Sequence, residues 1–160
     1  MITEENKQGL FTMSSGDGAQ PYNYGVGLYG SKFLTHLRDH GEILGIKCPK
    51  CAKVYVPPRQ ICGPCFTEMN EFVPIAAEGK ILSFTILRFQ FLDPETGEKK
   101  PVPYGYGFFQ LDGADTNFQH FLEVPEDESR LWIGARVKAV FADKKIGSLK
   151  DIKHFTLADN

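Results

Sequence analysis

The sequence predicts a mainly β protein: an N-terminal arm and one helix, a zinc ribbon, then a small five-stranded barrel. Three observations carry this. The only four cysteines form two knuckles, Cys48-Pro49-Lys50-Cys51 and Cys62-Gly63-Pro64-Cys65. From residue 71 onward, short apolar runs alternate with polar positions at a period of two, broken by turn residues. Thirteen Phe and six Tyr stand against one Trp, with sixteen Gly available for turns. A chain of 160 residues suits one compact domain or a small domain with an appended module. The expected segments are 1–30 for the arm, 31–70 for helix and ribbon, and 71–160 for the barrel.

The arm is glycine-rich and polar. Ser14-Ser15-Gly16-Asp17-Gly18 has a flexible-loop composition, and aromatics alternate with glycine from Tyr22 to Gly30 without a helical period. Such a segment either docks on another surface or forms a tail. The helix follows, with Ser31 as N-cap, a stripe of Phe33, Leu34 and Leu37, and Gly41 at the C′ position. His36 and His40 lie one turn apart on it, a metal-compatible spacing without a third ligand in the sequence nearby, so they read as a solvated face. Leu44, Ile46 and Cys48 then alternate as a strand entering the first knuckle.

Each C-x2-C turn sets two sulfurs on one side of a tight loop. The excursion between the turns brings the second over the first, so four thiolates meet around one tetrahedral ion. Two disulfides would suit a secreted chain, and a redox C-x-x-C needs only one pair at a helix start. Iron at the same thiolates, as in an electron carrier, is a further alternative. Lys47, Lys50, Lys53 and Arg59 crowd the site, where cations offset the charge of a tetrathiolate centre. Many knuckles place Gly after the second cysteine, where φ is positive; here those places hold Ala52 and Phe66.

Lys80 to Leu92 is a long strand whose apolar phase slips by one residue, as a bulged first barrel strand requires. Asp93 to Gly97 turns the chain. In Tyr104 to Leu111 large side chains alternate with glycine, as where a barrel tapers or another backbone approaches. Phe118–Val124, a helical turn after Pro125 carrying Leu131 and Trp132, Gly134–Ala142 and Ile152–Leu157 complete the set.

Net charge −2 and a pI near 6.1 offer no attraction to nucleic acid or an anionic membrane. No stretch approaches the ~20 apolar residues of a membrane span. Met1 to Lys7 lacks a basic and an apolar region, so no signal peptide is read; with reduced thiols this predicts a cytoplasmic protein. His36, His40, His120 and His154 are scattered, and no nucleophile–base pair or paired carboxylates can be read.

The helix before the ribbon, both knuckles with Val56-Pro57-Pro58-Arg59 between them, and Gly79-Lys80-Ile81-Leu82-Ser83-Phe84-Thr85 carry a resemblance. Pro103-Tyr104 and Ile133-Gly134-Ala135-Arg136-Val137 extend it. Over roughly residues 30–157 the chain resembles the zinc-ribbon/OB-fold proteins that accompany thiolase-superfamily enzymes, long grouped as a domain of unknown function. The resemblance implies a rubredoxin-like zinc ribbon and an OB-fold barrel, with structural zinc on Cys48, Cys51, Cys62 and Cys65. It also implies a non-catalytic subunit in a cytoplasmic hetero-oligomer with a thiolase-fold partner that supplies the catalytic cysteine. Such a subunit braces the partner and helps to hold coenzyme A or acyl-CoA. Within the family, the long arm and anionic, aromatic-rich barrel resemble the small subunits of benzoylsuccinyl-CoA thiolases of anaerobic toluene breakdown. Other branches serve hydroxymethylglutaryl-CoA synthesis, sterol side-chain hydratases or aldolases, and phenol acyltransferases. For the phosphates of CoA, Lys144, Lys145 and Lys150, or Lys99 and Lys100, are the candidate contacts, against a reading as solvated charged turns. The alternative function is single-stranded nucleic-acid binding, with Phe84, Tyr104, Tyr106 and Phe108 stacking bases.

Overall fold

A computed structural model describes residues 4–5, 11–12, 25–92 and 98–158. The chain forms two units, one of residues 1–25 and 90–100, the other of residues 26–89 and 101–160. In the first, β1 (Glu4–Glu5) pairs antiparallel with β2 (Phe11–Thr12). A bridge also joins Leu92 to Lys99. The expected Ser14–Gly18 loop, the start of the aromatic–glycine run and the Asp93–Gly97 turn lie outside the described residues.

The second unit begins with helix α1 (Gly27–His40), one turn ahead of the expected cap at Ser31. Val26 occupies the N-cap without a side-chain cap. Tertiary contact holds this extra turn: the Tyr29 hydroxyl donates to the Met69 carbonyl at 3.0 Å, and its ring stacks on Phe72. At the other end Gly41 adopts φ 69°, and its N–H reaches the Leu37 carbonyl, as the sequence predicts. Phe33 and Leu37 are buried and Leu34 packs beside them. Each such burial contributes about 1.5–3 kcal/mol.

Strands β3 (Ile43–Lys47), β4 (Val54–Tyr55) and β5 (Glu71–Ile75) make an antiparallel sheet in the order β4-β3-β5. The central strand β3 does not alternate; Ile43 through Ile46 are all buried. Ile43 and Leu44 join the main core, whereas Ile46 enters a smaller ribbon core with Cys48, Tyr55, Cys62 and Met69.

The rest closes into a barrel of β6 (Glu78–Leu87), β7 (Tyr104–Leu111), β8 (Phe118–Leu122), β9 (Arg136–Phe141) and β10 (Ile152–Leu157). Its order is β10-β8-β7-β6-β9, shut by β9 against β10, with β8 and β10 parallel. This is the connectivity of an OB-fold. β6 serves both halves, pairing with β9 and β7. It is shorter than the Lys80–Leu92 expected, and its bulge falls earlier, between Ile81 and Ser83, where the strand leaves β9. Phe89 and Phe91 lie beyond the strand and are exposed. In β7 the glycines face inward: a Cβ on Gly105 would meet the Leu122 carbonyl at 2.8 Å, and one on Gly107 the Ser83 carbonyl at 2.8 Å.

Helix, ribbon sheet and barrel share one core, from Phe33 and Leu37 through Ile43 and Val56 to Ile81, Phe109 and Phe155. The β7–β8 loop also stitches the barrel to the ribbon. Asp115 accepts from the Val54 N–H at 2.9 Å and returns its own N–H to the Val54 carbonyl. Thr116 Oγ1 accepts from the Val56 N–H at 2.8 Å and donates to its carbonyl. No described helix is long and apolar enough to cross a membrane.

Candidate metal centre

Two tight turns build the centre. In the first knuckle the Ala52 N–H returns to the Cys48 carbonyl and the Cys48 N–H donates to Lys53. The second repeats this with Phe66 to Cys62 and Cys62 to Thr67. The hairpin β3–β4 presents the first turn, and the Ile61–Glu68 bridge with Met69 N–H to Gln60 closes the second. Ala52 and Phe66 hold φ of 59° and 50°, so the left-handed geometry survives without glycine. The turns therefore carry backbone strain that glycine would relieve.

All four cysteines are free, and their sulfurs lie within 4.8 Å of one another. The Cys51 and Cys62 sulfurs are 3.7 Å apart. A tetrahedron with Zn–S arms of ~2.3 Å has edges of ~3.8 Å, so the donor set fits one four-coordinate ion with no open position. Bound there, zinc would supply a cross-link between the two turns. Cys48 and Cys62 are buried, Cys65 is half-buried and Cys51 is exposed. Among the described residues no other group of three His, Cys, Asp or Glu side chains comes together in this way.

The four thiols are not equivalent. A hydrogen bond from the Tyr55 hydroxyl, more than offsetting burial, pulls the Cys62 thiol down to about 6. Hydrogen bonding with Cys51, followed by burial, pushes Cys65 up to about 12. The same contact with Cys62 raises Tyr55, which keeps its proton. Arg59 lies on the Tyr55 ring with its guanidinium carbon 3.9 Å from the centroid, and Lys53 Nζ stands 5.6 Å from it. Lys47 reaches Glu71 at 3.9 Å, so three of the four cations expected around the site divide between the Tyr55 ring and a carboxylate.

Lys144 and Lys145 lie in the loop after β9, and Lys150 in the short 3-10 turn Leu149–Asp151. Asp151, almost fully buried, organises this loop by accepting the N–H groups of Ile146, Gly147 and Ser148. Burial pushes its carboxyl up; those three donors and Lys145 outweigh burial and hold it below its ordinary range. Lys99 sits in the bridge to Leu92, in the other unit.

The histidines have structural partners. His36 meets Glu42 at 3.2 Å and its ring lies 4.5 Å from that of His40. His120 accepts the Phe121 N–H on Nδ1 and meets the Leu149 carbonyl through Nε2. His154 stands 3.8 Å from Glu123. Tyr104, Tyr106 and Phe108 alternate with the inward residues of β7, whereas Phe84 packs against the core, so the four aromatics do not share one face.

Sequence reasoning missed Tyr55, Thr116 and Asp151. Tyr55 sits in the strand expected at Val54–Val56, on the parity opposite the two valines; that parity was the available signal.

The family model described as the ChsH2 rubredoxin-like zinc ribbon domain matches residues 35–69, and the ChsH2 C-terminal OB-fold domain matches residues 72–142. A DUF35 domain-containing scaffold protein of Methanocaldococcus jannaschii is 31% identical over 109 residues, covering 66% of this chain and 72% of the relative. The benzoylsuccinyl-CoA thiolase subunit BbsA of Thauera aromatica is 32% identical over 98 residues, covering 56% of this chain and 62% of that subunit. Among solved structures, a DUF35-family protein of unknown function from Sulfolobus solfataricus superposes with TM-score 0.59 at 23% identity, covering 82% of this chain and 87% of that one. The Ltp2–ChsH2(DUF35) aldolase gives TM-score 0.59 at 15% identity, covering 84% and 98%. Both structural likenesses concern the fold.

Proposed function

The chain belongs to the DUF35 family of zinc-ribbon and OB-fold proteins, and from that premise we propose that it is a zinc-binding, non-catalytic accessory subunit of a thiolase-superfamily acyl-CoA enzyme. The observation that carries this reading is the closed four-sulfur cluster, which commits every cysteine of the chain to a structural site. The thiol nucleophile of a thiolase reaction then comes from a partner. The histidines support the same division of labour, since His36, His120 and His154 are each engaged by carboxylate or backbone groups.

Zinc holds the two knuckles together. Residues 31–70 and 71–160 act as one brace on the partner, and the complex binds acyl-CoA jointly. The identity to BbsA supports a carbon–carbon bond-cleaving partner of the benzoylsuccinyl-CoA type. Lys144, Lys145 and Lys150 share one loop that Asp151 fixes, which suits contacts to the phosphates of coenzyme A. Replacing all three by Gln is expected to raise the KM of the complex for its acyl-CoA by about 10-fold while leaving kcat unchanged, a loss of uniform binding. An unchanged KM would remove these lysines from the binding site.

A tagged form of the full chain, expressed in its native cell and purified gently, is expected to carry a thiolase-fold protein in stoichiometric amount. Recovery of the chain without such a partner, together with retention of labelled single-stranded oligonucleotide, would replace this reading by the nucleic-acid one.

A further inference from the structure

We propose that Tyr55, clamped beneath Arg59, is an outer-sphere hydrogen-bond donor to the metal centre, acting on the Cys62 sulfur. The inference rests on the reading of the four cysteines as a metal site and assigns a role to side chains outside it.

Tyr55 is 2% exposed, and its hydroxyl lies 3.3 Å from Cys62 Sγ, itself fully buried. A buried phenol needs a partner, since a hydroxyl removed from water and left without a hydrogen bond is destabilising. A metal-bound thiolate carries no proton, so the hydroxyl donates and the sulfur accepts. The backbone N–H of Cys65 also faces this sulfur. In the first knuckle the N–H two residues on, that of Lys50, donates to Cys48 Sγ at 3.4 Å; the equivalent position of the second knuckle is Pro64, which has no N–H to give. The Tyr55 side chain thus brings Cys62 a donor that turn geometry alone does not provide.

Arg59 completes the arrangement. Its guanidinium on the ring face restrains the ring and favours hydroxyl donation. Charge withdrawn from Cys62 by the O–H···S bond makes that sulfur a poorer base and a poorer nucleophile, and so protects the metal–sulfur bond. Through this contact Pro57-Pro58-Arg59 is tied to the metal, although none of the three is a ligand.

The test uses the purified full chain loaded with Zn(II) or Co(II). Tyr55→Phe keeps the ring and removes only the hydroxyl. It is expected to hold Zn(II) about 10- to 100-fold more weakly in competition with a chromophoric chelator. The sulfur-to-cobalt charge-transfer band is expected to move to longer wavelength, because the unbonded thiolate donates more charge. Arg59→Met should show smaller shifts in the same directions. A packing role alone would move neither readout, so Tyr55→Phe with wild-type competition and an unshifted band overturns the proposal. A second measurement avoids the variant altogether. In the chain loaded with NMR-active cadmium, scalar coupling between the metal and the Tyr55 hydroxyl proton is expected, and its absence from a resolved hydroxyl signal overturns the assignment. A wild-type chain that forms no tetrathiolate Co(II) spectrum overturns the metal site and this role together. Metal binding with an indifferent Tyr55 overturns the role alone.

Discussion

Ala52 and Phe66 show what a closed knuckle asks of single residues. Both hold positive φ without being glycine, and the Phe66 side chain is 85% exposed, so core packing gives little back for the strain. Ala52→Gly and Phe66→Gly are each expected to stabilise the zinc-loaded chain by about 1 kcal/mol, the left-handed penalty less the entropy glycine adds to the unfolded chain. Urea unfolding of the isolated chain checks this; equal or lower midpoints would show that the turns carry no such strain. Asp151 works in the opposite sense, as a buried charge satisfied by three backbone donors. Its folded carboxyl titrates below the unfolded value near 3.9. Its ionised form therefore contributes fully above about pH 5, and that contribution is lost as pH falls through the folded value. Asp151→Asn is expected to cost about 2 kcal/mol at neutral pH and to flatten the acid limb of the stability profile. A variant whose stability equals wild type at neutral pH would remove the carboxylate from that role.

At the scale of elements, the pieces are local and their connections are not. The four cysteines were legible because metal-ligand spacing is written in consecutive residues, and β9 and β10 were legible because one face of each enters the core. The start of α1 was not legible. Gly27 and Gly30 weaken helix propensity there, and what secures the turn is Tyr29 reaching Met69, forty positions away. The stitch from Asp115 and Thr116 to β4 was equally hidden, since a side chain capping a distant strand edge leaves no periodicity in its own segment. The bulge in β6 was visible as a phase slip, but its position depends on where β9 stops pairing, which the strand itself does not encode. Thr116→Val is expected to leave the Val56 N–H without its acceptor and to cost about 1–2 kcal/mol. Faster hydrogen exchange at Val54 and Val56 should accompany the loss, and unaltered exchange at both would show that the ribbon edge is held by other means.

Over the whole second unit, one core runs from α1 through the ribbon sheet into the barrel, so a metal cross-link at the four cysteines would reinforce the barrel packing and be reinforced by it. Chelating the metal at neutral pH is expected to remove on the order of 10 kcal/mol. Exchange protection should disappear first across residues 43–75, and Cys51→Ser should reproduce the loss together with the loss of metal content. Unchanged metal content in Cys51→Ser would contradict the four-cysteine site. In the proposed division of labour this chain braces a partner that performs the chemistry. The most direct test is an acyl-CoA cleavage assay on three samples: the purified chain, the purified thiolase-fold partner, and the two together. No turnover is expected from the chain alone and full turnover from the reconstituted pair; acyl-CoA turnover by the isolated chain would overturn the division of labour.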